Sequence, residues 1–143
     1  MAAISKADAV WNGDLTSGSG RVKPASGAFP ELPVSWASRA ESQLGKTSPE
    51  ELLAAAHAAC YCMAFSNGLS KAGHKVEELN ATAEVEFVPG TGITTSTLTV
   101  RGRVPGIDDA AFQRRAAVAR EGCPVSKARH GNVKLNLEPR RDQ

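Results

Sequence analysis

From Leu52 to Phe65 the chain reads LLAAAHAACYCMAF, without one charged residue. Just upstream, TSPEELL offers Ser48 as an N-cap, Pro49 at the first helical position and Glu51 at the third. That is a capping box with proline where a helix tolerates it best. Glu50 and Glu51 also sit at the positive end of the helix dipole. The pattern predicts a helix from Pro49 to about Lys71, stopped by Gly73. Because it is apolar nearly all round as far as Phe65, it should be central and covered on most sides.

The flanking segments alternate rather than cycle. ADAVWNGDLTSGSGRVKPAS, over residues 7–26, breaks into short strand-like pieces at Asn-Gly, Gly-x-Gly and Pro, an N-terminal hairpin. VSWASRAES, residues 34–42, reads as a further strand with Arg39 near its middle. After the helix, Ala81, Ala83, Val85 and Phe87 alternate with polar residues, PGTG turns the chain, and Leu98, Val100 and Val104 mark the returning inner face. Asp108 or Asp109 opens a second helix through Phe112 and Ala116 to about Glu121, ended by Gly122. A short third helix begins at CPVSKAR, and Val133, Leu135 and Leu137 alternate as a last strand. Strands, helix, strands, helix and strand in that order predict an α+β fold with a mainly antiparallel sheet.

Composition narrows the class. The 143 residues fit a single domain large enough to bury a core without disulfides or a metal. The net charge of +2 is too small to imply nucleic acid; Arg114-Arg115 and Arg140-Arg141 read as a solvated face and a chain end. Leu52–Phe65 is too short to span a bilayer, and the N-terminus lacks the apolar stretch of a signal peptide, so the cytoplasm is expected. Three cysteines, Cys60, Cys62 and Cys123, do not make a secreted disulfide framework. They are plain core residues or reactive thiols that cycle.

Cys123 lies between Gly122, which stops one helix, and Pro124, suited to begin another. As an N-cap it would face free backbone N–H groups and a positive dipole end, a setting that favours thiolate; the bland alternative is a small capping or packing residue. Cys60 and Cys62 point about 200° apart on a helix and cannot bond each other. His57, three residues before Cys60, shares its face. A Cys-His nucleophile pair is conceivable, as is a metal site of His57, Cys60 and Cys123, against a satisfied core histidine. Cys60, in mid-helix, needs positive charge from elsewhere if it is to react.

TSPEELLAAAHAACYCMAFSNGLSKAG followed by GCPVSKA, with AVWNGDLTSGSG near the start and VPGID before the second helix, resembles the OsmC/Ohr family of osmotically inducible and organic-hydroperoxide-resistance proteins. The likeness runs from about Ala7 to Leu137, and PEEL…AAHAAC with Arg39 is nearer the OsmC branch. It implies a thiol peroxidase preferring organic hydroperoxides, with Cys60 peroxidatic and Cys123 resolving. Arg39 and Glu50 match the residues that orient and ionise the peroxidatic thiol. It also implies an intertwined homodimer, sheets wrapped around central helices, with sites at the interface. The reductant it suggests is an external dithiol of the lipoyl kind, with no metal or organic cofactor and no nucleic-acid or membrane partner. Cys62 is an extra thiol that the family pattern does not require.

Geometry adds one expectation. Glu50 lies ten residues before Cys60, a rise of roughly 15 Å on one helix. If both belong to one site, Arg39 and Glu50 come from one chain and Cys60 and Cys123 from its partner. Phe65, Met63 and the alanine face of the helix are the expected walls of the substrate pocket.

Overall fold

The computed structural model describes residues 2–129 and 134–142. Two compact units divide the chain, Met1–Leu52 and Leu53–Gln143.

In the first unit, strands β1 (Ala7–Asn12) and β2 (Ser19–Pro24) form the expected hairpin, and β3 (Leu32–Val34) adds antiparallel to β2. The Asp14 carboxylate closes the turn by accepting both the N–H and the hydroxyl of Ser17 at 2.7 Å. Trp11 lies opposite Gly20, where an added Cβ would come within 2.6 Å of the indole; the glycine leaves room for the ring against the neighbouring strand.

The strand expected over 34–42 is instead mostly the short helix α1 (Trp36–Glu41). Ser35 caps it: its hydroxyl accepts the Ser38 N–H at 3.0 Å while the Ser38 hydroxyl accepts the Ser35 N–H at 2.9 Å. Two serines three apart thus satisfy the free amides of a first turn, which outweighs the apparent alternation of VSWAS. Ser42, at φ 56°, ends the helix.

Helix α2 (Pro49–Lys71) has the expected bounds. The Glu51 N–H donates to Ser48 Oγ at 3.0 Å, but the Glu51 carboxylate turns to the Thr47 hydroxyl at 2.8 Å. At the far end Gly73 takes φ 89°, and the His74 N–H returns to Leu69 O.

The second unit packs the body of α2 with a sheet in the order β4 (Glu78–Val88), β5 (Gly92–Arg103), β6 (Lys134–Asp142), joined through α3 (Asp109–Gly122) and α4 (Pro124–Arg129). The β4–β5 hairpin is antiparallel as expected, whereas β5 and β6 run parallel, a crossover that the two helices supply. Asp108 caps α3 through the Ala111 N–H. Pro139 is tolerated in β6 because that strand lies at the sheet edge. Of the last strand's expected inner residues, Val133 falls outside the described residues.

His57, Tyr61, Phe65 and Leu69, four residues apart, form the buried stripe of α2. Tyr61 packs at a tilt against Phe65 and Phe65 against Phe112, centroids 5.7 and 5.2 Å apart, and the Tyr61 hydroxyl donates to Ala116 O at 2.8 Å. The opposite side of α2, with Ala55, Ala56, Ala59 and Met63, is exposed. Among the described residues, full burial of α2 beyond its first turn is thus confined to this stripe, on a helix expected to be covered on most sides. Taken with its flanks, α2 is long and apolar enough to cross a membrane, a reach the shorter run Leu52–Phe65 does not have. Its buried stripe, however, is committed to the core of this unit.

Candidate active site

Helix α2 carries Cys60, and the junction of α3 and α4 carries Cys123. Cys123 is fully buried. Its N–H caps α3 through Ala119 O, and its carbonyl accepts the Lys127 N–H of α4. Its Sγ donates to Cys60 Sγ at 3.0 Å, and both are free thiols. A disulfide needs the sulfurs about 2.05 Å apart, so roughly 1 Å of movement separates the contact from a bond.

Burial pushes the Cys60 thiol up, and the contact with Cys123 adds to this. The opposing influence is the backbone N–H of Val125, which lowers it. The sequence offered the start of the last helix to Cys123 as one of two readings; the backbone of Val125 in that helix instead favours the thiolate of Cys60.

His57 is engaged on both ring nitrogens by hydroxyls. Its Nδ1 meets Ser96 Oγ of β5 at 2.7 Å and its Nε2 meets Ser126 Oγ of α4 at 2.8 Å, with all three side chains buried. These contacts favour the satisfied core histidine over a His57 metal ligand or a catalytic base. Among the described residues no group of three or more His, Cys, Asp or Glu is placed to hold a metal ion.

In the first unit, Arg39 Nε donates to Glu50 Oε1 at 2.6 Å, with Oε2 at 3.3 Å. Glu50, on the first turn of α2, is 5% exposed. The last turn of α1 aims Arg39 at it, and α1 is in turn fixed by the Ser38 hydroxyl donating to Thr47 O. Arg39 also borders a cavity of about 320 Å³ with Trp11, Leu15, Val34, Trp36 and Pro49.

A family model described as OsmC-like protein matches residues 41–138. Peroxiredoxin OsmC of Escherichia coli (strain K12) is 37% identical over 141 residues, spanning 96% of this chain and 98% of the relative. The chain belongs to the OsmC-like family. An organic hydroperoxide resistance protein of Xanthomonas axonopodis pv. citri (strain 306) is 33% identical over 97 residues, 64% of this chain and 65% of its own. Among solved structures, an organic hydroperoxide resistance protein from Elizabethkingia anophelis superposes with a TM-score of 0.74 at 25% identity, covering 99% of this chain and all of the other. One from Legionella pneumophila gives 0.72 at 26% identity, covering 97% and 99%. The expected α+β fold and the family resemblance are both borne out.

Two expectations change in this OsmC-like chain. Phe65 cannot wall a pocket, because it is fully buried in the aromatic core; its four-residue spacing from Tyr61 and Leu69 was the available signal. Met63 is 75% exposed and borders, with Cys62, a separate open cavity. The apolar surroundings of Arg39 were not foreseen. Trp11, Leu15 and Trp36 lie far apart in sequence and meet only through the hairpin and α1, so no local pattern announces them.

Proposed function

We propose that this OsmC-like protein is a thiol-dependent peroxidase that reduces organic hydroperoxides to alcohols. The observation that carries the reading is the 3.0 Å approach of Cys123 Sγ to Cys60 Sγ. Cys60 thiolate attacks the peroxide oxygen; the O–O bond breaks, the alcohol leaves, and Cys60 becomes a sulfenic acid. Cys123 then attacks that sulfur, water leaves, and a disulfide results. An external dithiol, of the lipoyl type, restores both thiols by exchange and is itself oxidised to a disulfide. Similarity to a peroxiredoxin and to an organic hydroperoxide resistance protein supports a peroxide-related redox role.

Burial raises the Cys60 thiol and a single amide opposes it, so a cation is needed for full ionisation. Arg39, held by Glu50, is the donor we assign. Ten residues of helix separate Glu50 from Cys60, which supports a homodimer in which one chain supplies Arg39 and Glu50 to its partner's thiols. The exposed Ala55, Ala56, Ala59 and Met63 face of α2 supports the same assembly. The cavity of Trp11, Leu15 and Trp36 beside Arg39 suits an apolar substituent next to a polar peroxide head. We place the protein in the cytoplasm, where reducing conditions keep such thiols cycling.

The test mixes the reduced protein with cumene hydroperoxide, counts free thiols, and maps disulfides by mass spectrometry. The reading expects loss of two thiols and a Cys60–Cys123 bond. Retention of all thiols, or a bond lacking Cys60, defeats it.

A further inference from the structure

His57, Ser96 and Ser126 are each at most 1% exposed, and no step of the peroxide reaction uses them. Burying three polar side chains in an apolar core is costly unless each is bonded, so their arrangement carries information. His57 and Cys60 stand three residues apart on one face of α2. Cys123 and Ser126 stand three apart across the first turn of α4, which begins with the Lys127 N–H bond to Cys123 O. The two pairs face each other as two rungs: His57 Nε2 to Ser126 Oγ at 2.8 Å, and Cys123 Sγ to Cys60 Sγ at 3.0 Å. The Ser96 hydroxyl, on Nδ1 at 2.7 Å, fixes the plane of the ring against β5.

We propose that His57 is a positioning residue: through Ser126 it holds the first turn of α4 so that Cys123 Sγ stays within reach of Cys60. The proposal rests on the reading above for the roles of the two thiols. In the step it governs, Cys123 sulfur attacks the sulfenic sulfur of Cys60, the S–S bond forms and the S–O bond breaks. The departing hydroxide takes the Cys123 proton and leaves as water. Attack on the peroxide precedes this and takes place at the Cys60 sulfur; α4 bears on it only through the Val125 amide, so it depends less on Ser126 than disulfide closure does. His57 therefore controls whether the sulfenic acid is resolved or survives to be oxidised again.

The experiment is a single turnover. Reduced wild-type, Ser126→Ala and Ser96→Ala proteins receive one equivalent of cumene hydroperoxide; dimedone traps sulfenic acid, and mass spectrometry follows the disulfide. A parallel series uses diamide, which takes two electrons from the thiol pair without any peroxide chemistry. Ser126→Ala is expected to lose at most about threefold in sulfenic-acid formation yet close the disulfide between about tenfold and a hundredfold more slowly, the effect of an ångström-scale misplacement. Ser96→Ala, which loosens the ring but leaves the α2–α4 rung, is expected to slow closure less. Disulfide closure at the wild-type rate in Ser126→Ala overturns the proposal, as does equal slowing in both serine variants or equal slowing of both steps. If the wild type ignores peroxide, the peroxidase reading fails by itself and the diamide series still decides the role of His57. Should Ser126→Ala not fold, His57→Gln, which keeps a donor for Ser126, is compared with His57→Leu; equal closure rates in those two defeat the proposal.

Discussion

Removal of Arg39 probes the ion pair on which the proposed ionisation of Cys60 depends. Arg39 Nε lies 2.6 Å from Glu50 Oε1, and the side chains are 35% and 6% exposed. Charge centres about 4 Å apart at an effective dielectric of 20 attract by about 4 kcal/mol before desolvation. The third of Arg39 left open to water and salt removes much of that, so the net coupling should be about 1–2 kcal/mol. Arg39→Ala strands a buried carboxylate, partly compensated by the amides of the first turn of α2, and should cost about 2 kcal/mol. Glu50→Gln keeps the shape and an acceptor for Nε–H and should cost less. Urea unfolding of both single variants and the double, at fixed protein concentration, gives the coupling directly. Single costs that sum to the double within about 0.3 kcal/mol would show the pair to be energetically idle and refute the reasoning.

Burial raises Cys60, Tyr61 and Cys62 alike, so the folded chain keeps protons that the unfolded chain gives up. The reduced protein should therefore be fully stabilised by these groups below the ordinary thiol value of 9.0 and lose that contribution as pH rises past it; a melting temperature that stays flat into alkaline pH would contradict this. Gly102→Ala would set a Cβ 2.8 Å from Phe112 Cε2 and 2.9 Å from Leu79 Cδ2. It should destabilise by about 1–3 kcal/mol in urea titrations, and an unchanged midpoint would mean that the ring moves freely. Cys62 borders a cavity away from Cys123, so Cys62→Ser should remove one titratable thiol and leave the mapped Cys60–Cys123 bond intact; a changed disulfide map would show that Cys62 competes.

Helix α2 was legible to the residue because its signals are local: Ser48 and Pro49 at one end, Gly73 at the other. The β4–β5 hairpin and the Asp108 cap were legible for the same reason. Arg39 was placed on a strand because VSWASRAES alternates, and the reciprocal Ser35–Ser38 hydrogen bonds that make it a helix are a weaker signal than the Glu51 box. The parallel run of β6 beside β5 could not be read, since strand direction is set by the α3–α4 crossover and not by Leu135 or Leu137. Cys60 and Cys123 were singled out by a pattern with GCPVSKA. Their approach through the start of α4 and the His57 rung beside them are products of tertiary packing, which leaves no periodic trace.

The contact between Cys60 and Cys123 joins residues 63 apart in the chain. A covalent bond there would confine nearly half of the sequence to a closed loop, removing about 4 kcal/mol of freedom from the unfolded chain in the entropic account. Oxidation and folding then reinforce each other through one thermodynamic cycle. The folded protein favours the bonded form by as much as the bond favours the fold. Each turnover would pass the molecule between a looser reduced state and a braced oxidised one, so a protease or a heat step should distinguish substrate-exposed from freshly reduced protein without any measurement of sulfur.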